Sequence, residues 1–126
     1  MSVEFDIDKE KNIISIIVSD RVNRDRVNFI LSKLHEITVG YSGYHLLFDL
    51  RDTYLEKRQL DMTRVVDIAS SIGAMKDELG GKIAHVSPDD DARLAHSKDI
   101  ESVVSVWGID YKVFTDIEKA KEWLEI

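Results

Sequence analysis

The feature that most constrains this chain is a repeated switch of hydrophobic period, from two to about 3.6 residues and back. Residues 3–7 alternate apolar and acidic side chains, as a strand with one wet face would. Residues 13–18 form a β-branched run suited to a more buried strand, and the polar turn Asp8-Lys9-Glu10-Lys11-Asn12 separates the two. They are expected to pair as an antiparallel hairpin. The period then changes: Val27, Ile30, Leu31, Leu34 and Ile37 fall at i, i+3, i+4, i+7 and i+10, one face of an amphipathic helix. Gly40 and Gly43 close that region, residues 44–50 read as a strand, and Arg51, Asp52 and Thr53 are expected in a loop after it. Asp61 reads as the N-cap of a second helix, Val65, Ala69, Ile72 and Leu79 share its inner face, and Gly80-Gly81 supplies the stop. Residues 82–87 give a short strand, after which Pro88 and Asp89-Asp90-Asp91 suit the start of a third helix. Its stripe is Ile100, Val103, Val104 and Trp107, ended by Gly108. Residues 111–114 form the last strand, and Thr115 or Asp116 caps a final helix carrying Ile117, Ala120 and Leu124, with Trp123 beside them.

The resulting order, β-β-α-β-α-β-α-β-α, predicts an α/β fold: a mixed, mostly parallel five-stranded sheet with an N-terminal antiparallel hairpin and four helices. Each crossover helix must pack back on the sheet with right-handed sense. The chain has 126 residues, one proline (Pro88) and no linker-like tract, so residues 1–126 read as a single domain. Seventeen basic against 24 acidic side chains leave a net charge of −7, which argues against nucleic acid and anionic membrane surfaces as partners. There is no cysteine, hence no disulfide framework, thiol chemistry or zinc–thiolate site. No apolar run approaches the roughly 18 residues of a spanning helix. The charged start, residues 1–11, does not read as a signal peptide, so no integral membrane association and a cytoplasmic location are expected.

In such sheets ligands favour the carboxyl ends of the parallel strands. Residues 49–53, residues 87–91 and Thr115-Asp116 belong there, gathering Asp49, Asp52, Asp89, Asp90, Asp91 and Asp116 near Arg51. Asp49-Leu50-Arg51-Asp52-Thr53 is superficially like the Asp-x-Asp-x-Thr loop of haloacid-dehalogenase-type phosphatases, but its acids are three apart instead of two. A response-regulator receiver would want paired acids after an early strand and a lysine after the last, where this chain has Ser19-Asp20 and Thr115-Asp116. The acids therefore read as caps, solvated loop groups and arginine partners, and neither a metal nor a cofactor is expected. His35, His45 and His96 have no spacing that pairs them, and His85 shares a strand face with Ser87 without a triad or a G-x-S-x-G elbow. His85 reads as a partly buried, hydrogen-bonded residue. Gly80-Gly81 precedes a strand instead of opening a helix, so it cannot cradle phosphate. Tyr41, Tyr44, Phe48 and Tyr54 cluster around one strand, which packing explains more simply than an aromatic pocket.

Three stretches carry a family likeness: Lys82-Ile83-Ala84-His85-Val86, then Gly108-Ile109-Asp110-Tyr111-Lys112-Val113-Phe114-Thr115-Asp116, then Ala120-Lys121-Glu122-Trp123-Leu124. With Phe48-Asp49-Leu50-Arg51-Asp52 before the second helix, they resemble the SpoIIAA-like branch of the STAS superfamily. The resemblance implies a fold of repeated β-α turns and a binding or regulatory module more readily than an enzyme. The phosphorylatable serine of anti-anti-sigma factors would align with Leu60-Asp61-Met62-Thr63-Arg64, where Thr63 is the hydroxyl and the small glycine is missing; the phosphoswitch is not carried over. The likeness of other members to CRAL-TRIO carriers implies an apolar or amphipathic ligand between sheet and helices.

The leading expectation is thus a non-catalytic regulatory or protein-interaction module. Its partner surface would be the second helix, residues 61–79, through Asp61, Met62, Thr63, Ile68 and Met75; Met62, Ile68 and Met75 lie off the inner stripe. The alternative is a small-molecule binder, lipid-like or anionic, at the strand ends through Asp49, Arg51, Thr53, Ser87 and Asp89, with Arg51 forking to a carboxylate or phosphate. A hydrolase or phosphotransferase using Asp49 or Asp52 lacks any complete motif.

Overall fold

The hairpin forms as expected: β1 (Ser2–Asp8) pairs antiparallel with β2 (Ile13–Arg21) in the computed structural model, which describes residues 2–56 and 62–126. Asn12 supports the turn between them by adopting the left-handed conformation, φ 57°, that asparagine tolerates better than most side chains. Strand period two then decides burial, with Ile14, Ile16 and Val18 in the core and Ile17 facing out.

The chain continues through α1 (Arg24–Gly40), β3 (His45–Tyr54), α2 (Met62–Ala74), β4 (Ile83–Val86), α3 (Asp91–Val106), β5 (Tyr111–Phe114) and α4 (Ile117–Leu124). This is the predicted element order and class. The sheet runs β1-β2-β3-β4-β5, and every pairing after the hairpin is parallel. Because each crossover steps the same way along the sheet, right-handedness puts α1, α2 and α3 on one face. That front face holds the larger core, where Ile16, Phe48 and Ile83 meet Leu34, Val65, Ala69, Ile100 and Val104. On the back, α4 covers a smaller cluster, Ala120 and Leu124 against Ile13, Leu47, Ala84 and Val86.

Three boundaries differ from expectation, each for a local reason. Arg51, Asp52 and Thr53 belong to β3, not to a loop, because β2 runs on to Arg21 and supplies partners: Ser19 to Asp52, Asp20 to Thr53, Arg21 to Tyr54. Between Ile17 and Ser19 the register shifts, β3 advancing three residues while β2 advances two. Helix α2 ends at Ala74, well before Gly80-Gly81, as the amides of Met75 and Lys76 tighten onto the carbonyls of Ile72 and Gly73. Pro88 stays outside α3, whose N-cap is Asp90, its carboxylate accepting from the Arg93 amide at 3.0 Å. Asp116, and not Thr115, caps α4 by accepting from the amides of Glu118 and Lys119. The expected cap Asp61 lies outside the described residues.

Helices α2 and α3 meet where Gly73 faces Trp107. A β-carbon at Gly73 would sit 2.6 Å from the indole Cε3, so the close approach requires glycine. Among the described residues no helix is long and apolar enough to cross a membrane.

Candidate functional site

The irregularity in β3 sorts the expected ligand residues onto two faces. Asp49 follows Leu47 on the back face, where Arg51 forks onto it through Nε and Nη2, both at 2.8 Å. The Arg51 guanidinium holds the Asp49 carboxyl below the ordinary carboxylate range, against an opposing effect of burial. Thr53, one register shift later, points to the front and contacts α3. Ser87 is fully buried beyond β4 and donates to the Pro88 carbonyl at 3.0 Å, while Asp89 is exposed. The structure therefore brings Asp49 and Arg51 together, and the sheet separates Thr53 from them.

On the front, a cleft of about 320 Å³ opens between the first turn of α1, the residues after β3 and the flank of α2 that carries Arg64, Asp67, Ile68 and Ser71. Arg24 and Asp67 face each other across its mouth at 3.8 Å. Behind it lies a smaller cavity of about 90 Å³ reaching Phe48, His85 and Tyr111. Val22, Val27, Leu55, Ile68 and His96 line both spaces. Depth and apolar walls with a few convergent polar groups are the usual make-up of a small-molecule site.

Those polar groups come mainly from α3. Arg93, His96, Ser97 and Ile100 recur at i, i+3, i+4 and i+7, and all four are buried against the sheet. His85 contacts the Tyr111 hydroxyl through Nδ1 at 2.5 Å and the Ser97 hydroxyl through Nε2 at 3.3 Å. Burial, with the nearby charges of Arg93 and His96, pushes the His85 pKa down to about 3, so its ring is neutral at physiological pH. A neutral imidazole offers one donor and one acceptor, and a hydroxyl on each side can satisfy both. Burial raises the Tyr111 pKa, so its hydroxyl keeps its proton.

Arg93 is only 7% exposed. Its Nη1 donates to the Thr53 carbonyl at 3.1 Å and its Nη2 to the Thr53 hydroxyl at 2.9 Å, while Nε has no hydrogen-bond partner among the described residues. Burying a charged guanidinium against neutral acceptors costs several kcal/mol. Burial lowers its pKa, and the Asp90 carboxylate nearby opposes that only in part. No metal centre accompanies these groups, since no cluster of three His, Asp or Glu able to hold an ion occurs among the described residues.

The outer side of α2 is the second candidate surface. Met62 is 56% and Val66 48% exposed, one turn apart, with Thr63 exposed beside them. Ile68 is half-buried and walls the cleft, so it faces neither solvent nor the core alone. Met75 corrects the expectation: at 8% exposure it packs into the front core, because the tightened turn after Ala74 swings it inward. Asp61 lies outside the described residues.

Sequence reading missed Arg93, His96, Ser97 and Tyr111 as a group. The available signal was the apolar stripe of α3, which continues back from Ile100 onto three polar side chains at helical spacing.

No protein-family model matches the chain, and no curated protein matches it. Solved structures do. An uncharacterized protein of the DUF3478 family with a SpoIIAA-like fold, from Shewanella loihica PV-4, superposes with a TM-score of 0.60 at 12% identity, covering 98% of this chain and 92% of its own. The anti-sigma factor antagonist SpoIIAA in its unphosphorylated form gives 0.59 at 10% identity, covering 99% and 98%. The protein TM1081 gives 0.52 at 19% identity, covering 95% and 86%. The chain has a SpoIIAA-like fold.

Proposed function

We propose that this chain is a non-catalytic regulatory module whose protein partner docks on α2. The observation that carries the reading is the two-sided character of that helix. Val65, Ala69 and Ile72 pack inward, while Met62 and Val66 stand one turn apart in solvent. An apolar pair on an exposed helix face is costly in water and suits a partner's groove. The fold supports the regulatory part by analogy, being shared with an anti-sigma factor antagonist. A net charge of −7 favours a protein partner over nucleic acid.

The test is a photo-crosslinking residue at position 66, with controls on α4, used in extract of the source cells. Crosslinks from α2 to one partner, lost in Val66→Asp while helicity and melting temperature hold, are expected. A partner captured only through α4 overturns the assignment.

A second reading, binding of a small amphipathic molecule, is favoured by the cleft and the cavity behind it. Of the residues expected from sequence, Thr53 is bound by the Arg93 that lines the inner cavity. The two readings are compatible, since Ile68 and Asp67 of α2 wall the cleft while Met62 and Val66 face away from the core. A bound molecule would then change how α2 presents its outer face.

A further inference from the structure

The only partly matched charge of Arg93 gives the cleft a chemical preference. This guanidinium is buried, it lines the inner cavity, and both its Nη groups are spent on one neutral residue, Thr53. Its Nε is left without an acceptor among the described residues. His96 and Ser97 stand on the same side of α3 and bring no carboxylate, and the nearby Asp90 carboxylate offsets the burial of the Arg93 charge only in part. In a low-dielectric enclosure, such a cation is matched most directly by an anion arriving from outside.

We propose that Arg93 is the anion-recognising residue of the front cleft and that its occupant is a compact monocarboxylate, its apolar body lying against Val22, Val27, Leu55 and Ile68. This rests on the small-molecule reading above. The size of the spaces selects the class: the inner cavity, about 90 Å³, admits a carboxylate head and little more. The outer cleft, about 320 Å³, carries the apolar strip Val22, Val27, Leu55 and Ile68, long enough for a short hydrocarbon body, within an otherwise polar rim that includes Asn23, Arg24 and Asp67. A phosphate ester would bring a second charge and more acceptors than one Nε and its neighbours satisfy. The proposal also accounts for the location of the cation. A protein of net charge −7 repels anions at long range, so recognition must come from a local contact that water does not screen.

Octanoate and octan-1-ol, which share a tail and differ in the charged head, separate the possibilities. With the full chain at pH 7, calorimetric titration should show octanoate binding about tenfold or more tighter than the alcohol, equivalent to roughly 1.4 kcal/mol. Arg93→Met should erase the difference while leaving octan-1-ol binding in place. In the wild type, the Arg93 Nε–H resonance should shift with octanoate and not with octan-1-ol, a readout that does not depend on whether the variant folds. Equal or tighter binding of the alcohol, a preference that survives Arg93→Met, or an unmoved Nε–H overturns the carboxylate proposal but leaves the cleft as an apolar site. Failure of both molecules to bind overturns the cleft reading with it.

Discussion

Arg51 and Arg93 lie near the same sheet edge, both close to the end of β3, and differ in almost everything that decides what an arginine can do. Arg51 sits on the back face with its side chain 44% exposed and its fork filled by Asp49. Arg93 sits on the front, buried, bound to the neutral Thr53, with its Nε–H left without a hydrogen-bond partner among the described residues. The first is a closed pair that water can also reach. The second is an incomplete one that water cannot easily finish. The alternative reading of the sequence offered Arg51 as the anion-binding residue because it lies at a strand end among acids; one of those acids, Asp49, occupies its fork.

Three measurements can break or sharpen this contrast. The largest effect should come from acid. His85, beside Arg93, has a folded pKa of about 3 against 6.5 when unfolded, so the unfolded chain takes up the proton first. Its contribution is complete above pH 6.5 and is lost as pH falls toward 3, at roughly 1.4 kcal/mol per unit. Asp49, whose carboxyl is held low by Arg51, loses its contribution only below the ordinary aspartate range, near pH 4. Denaturant melts from pH 7 to 4 should therefore lose stability through the front face, and His85→Asn should flatten that window. An unchanged slope in the variant would mean that His85 is not the group responsible.

A smaller loss is expected from Thr53→Val, which deprives the buried Arg93 Nη2 of its side-chain acceptor and should cost about 1–3 kcal/mol. In an Arg93→Met background the same change should cost much less, and comparing the two by urea unfolding isolates the interaction. Equal losses in both backgrounds would place the cost in Thr53 alone. The smallest effect should be Arg51→Ala, about 0–1 kcal/mol and weaker still in high salt, as exposed pairs generally are. A loss several times larger would show that the back-face pair is the more important of the two.

Much of this architecture was legible because it depends on period. The strand Tyr111–Phe114 and the helix packing Ala120 and Leu124 were readable in full, since spacing alone distinguishes their faces. Arg51 to Thr53 were not, because three polar residues in a row look like a loop until a neighbouring strand lengthens to pair with them. Met75 was misplaced for a related reason: its position assumed a helix that ran on to residue 79, and a tightened turn rotates it inward. Arg93 was hidden by its own chemistry, since a charged side chain beside three aspartates reads as solvent-facing whatever the helix packs against. Periodicity reports apolar faces; it is silent on where a polar side chain is enclosed.

The strands lie side by side in the order in which they occur along the chain. Each new strand therefore joins the margin of a sheet already in place, and none has to be inserted between two others. A nascent chain leaving the ribosome can build this domain progressively, with no early edge waiting for a late segment to slot in. The last helix, α4, comes after the whole front core has its parts, so late emergence of the C-terminus leaves the cleft side free to assemble first.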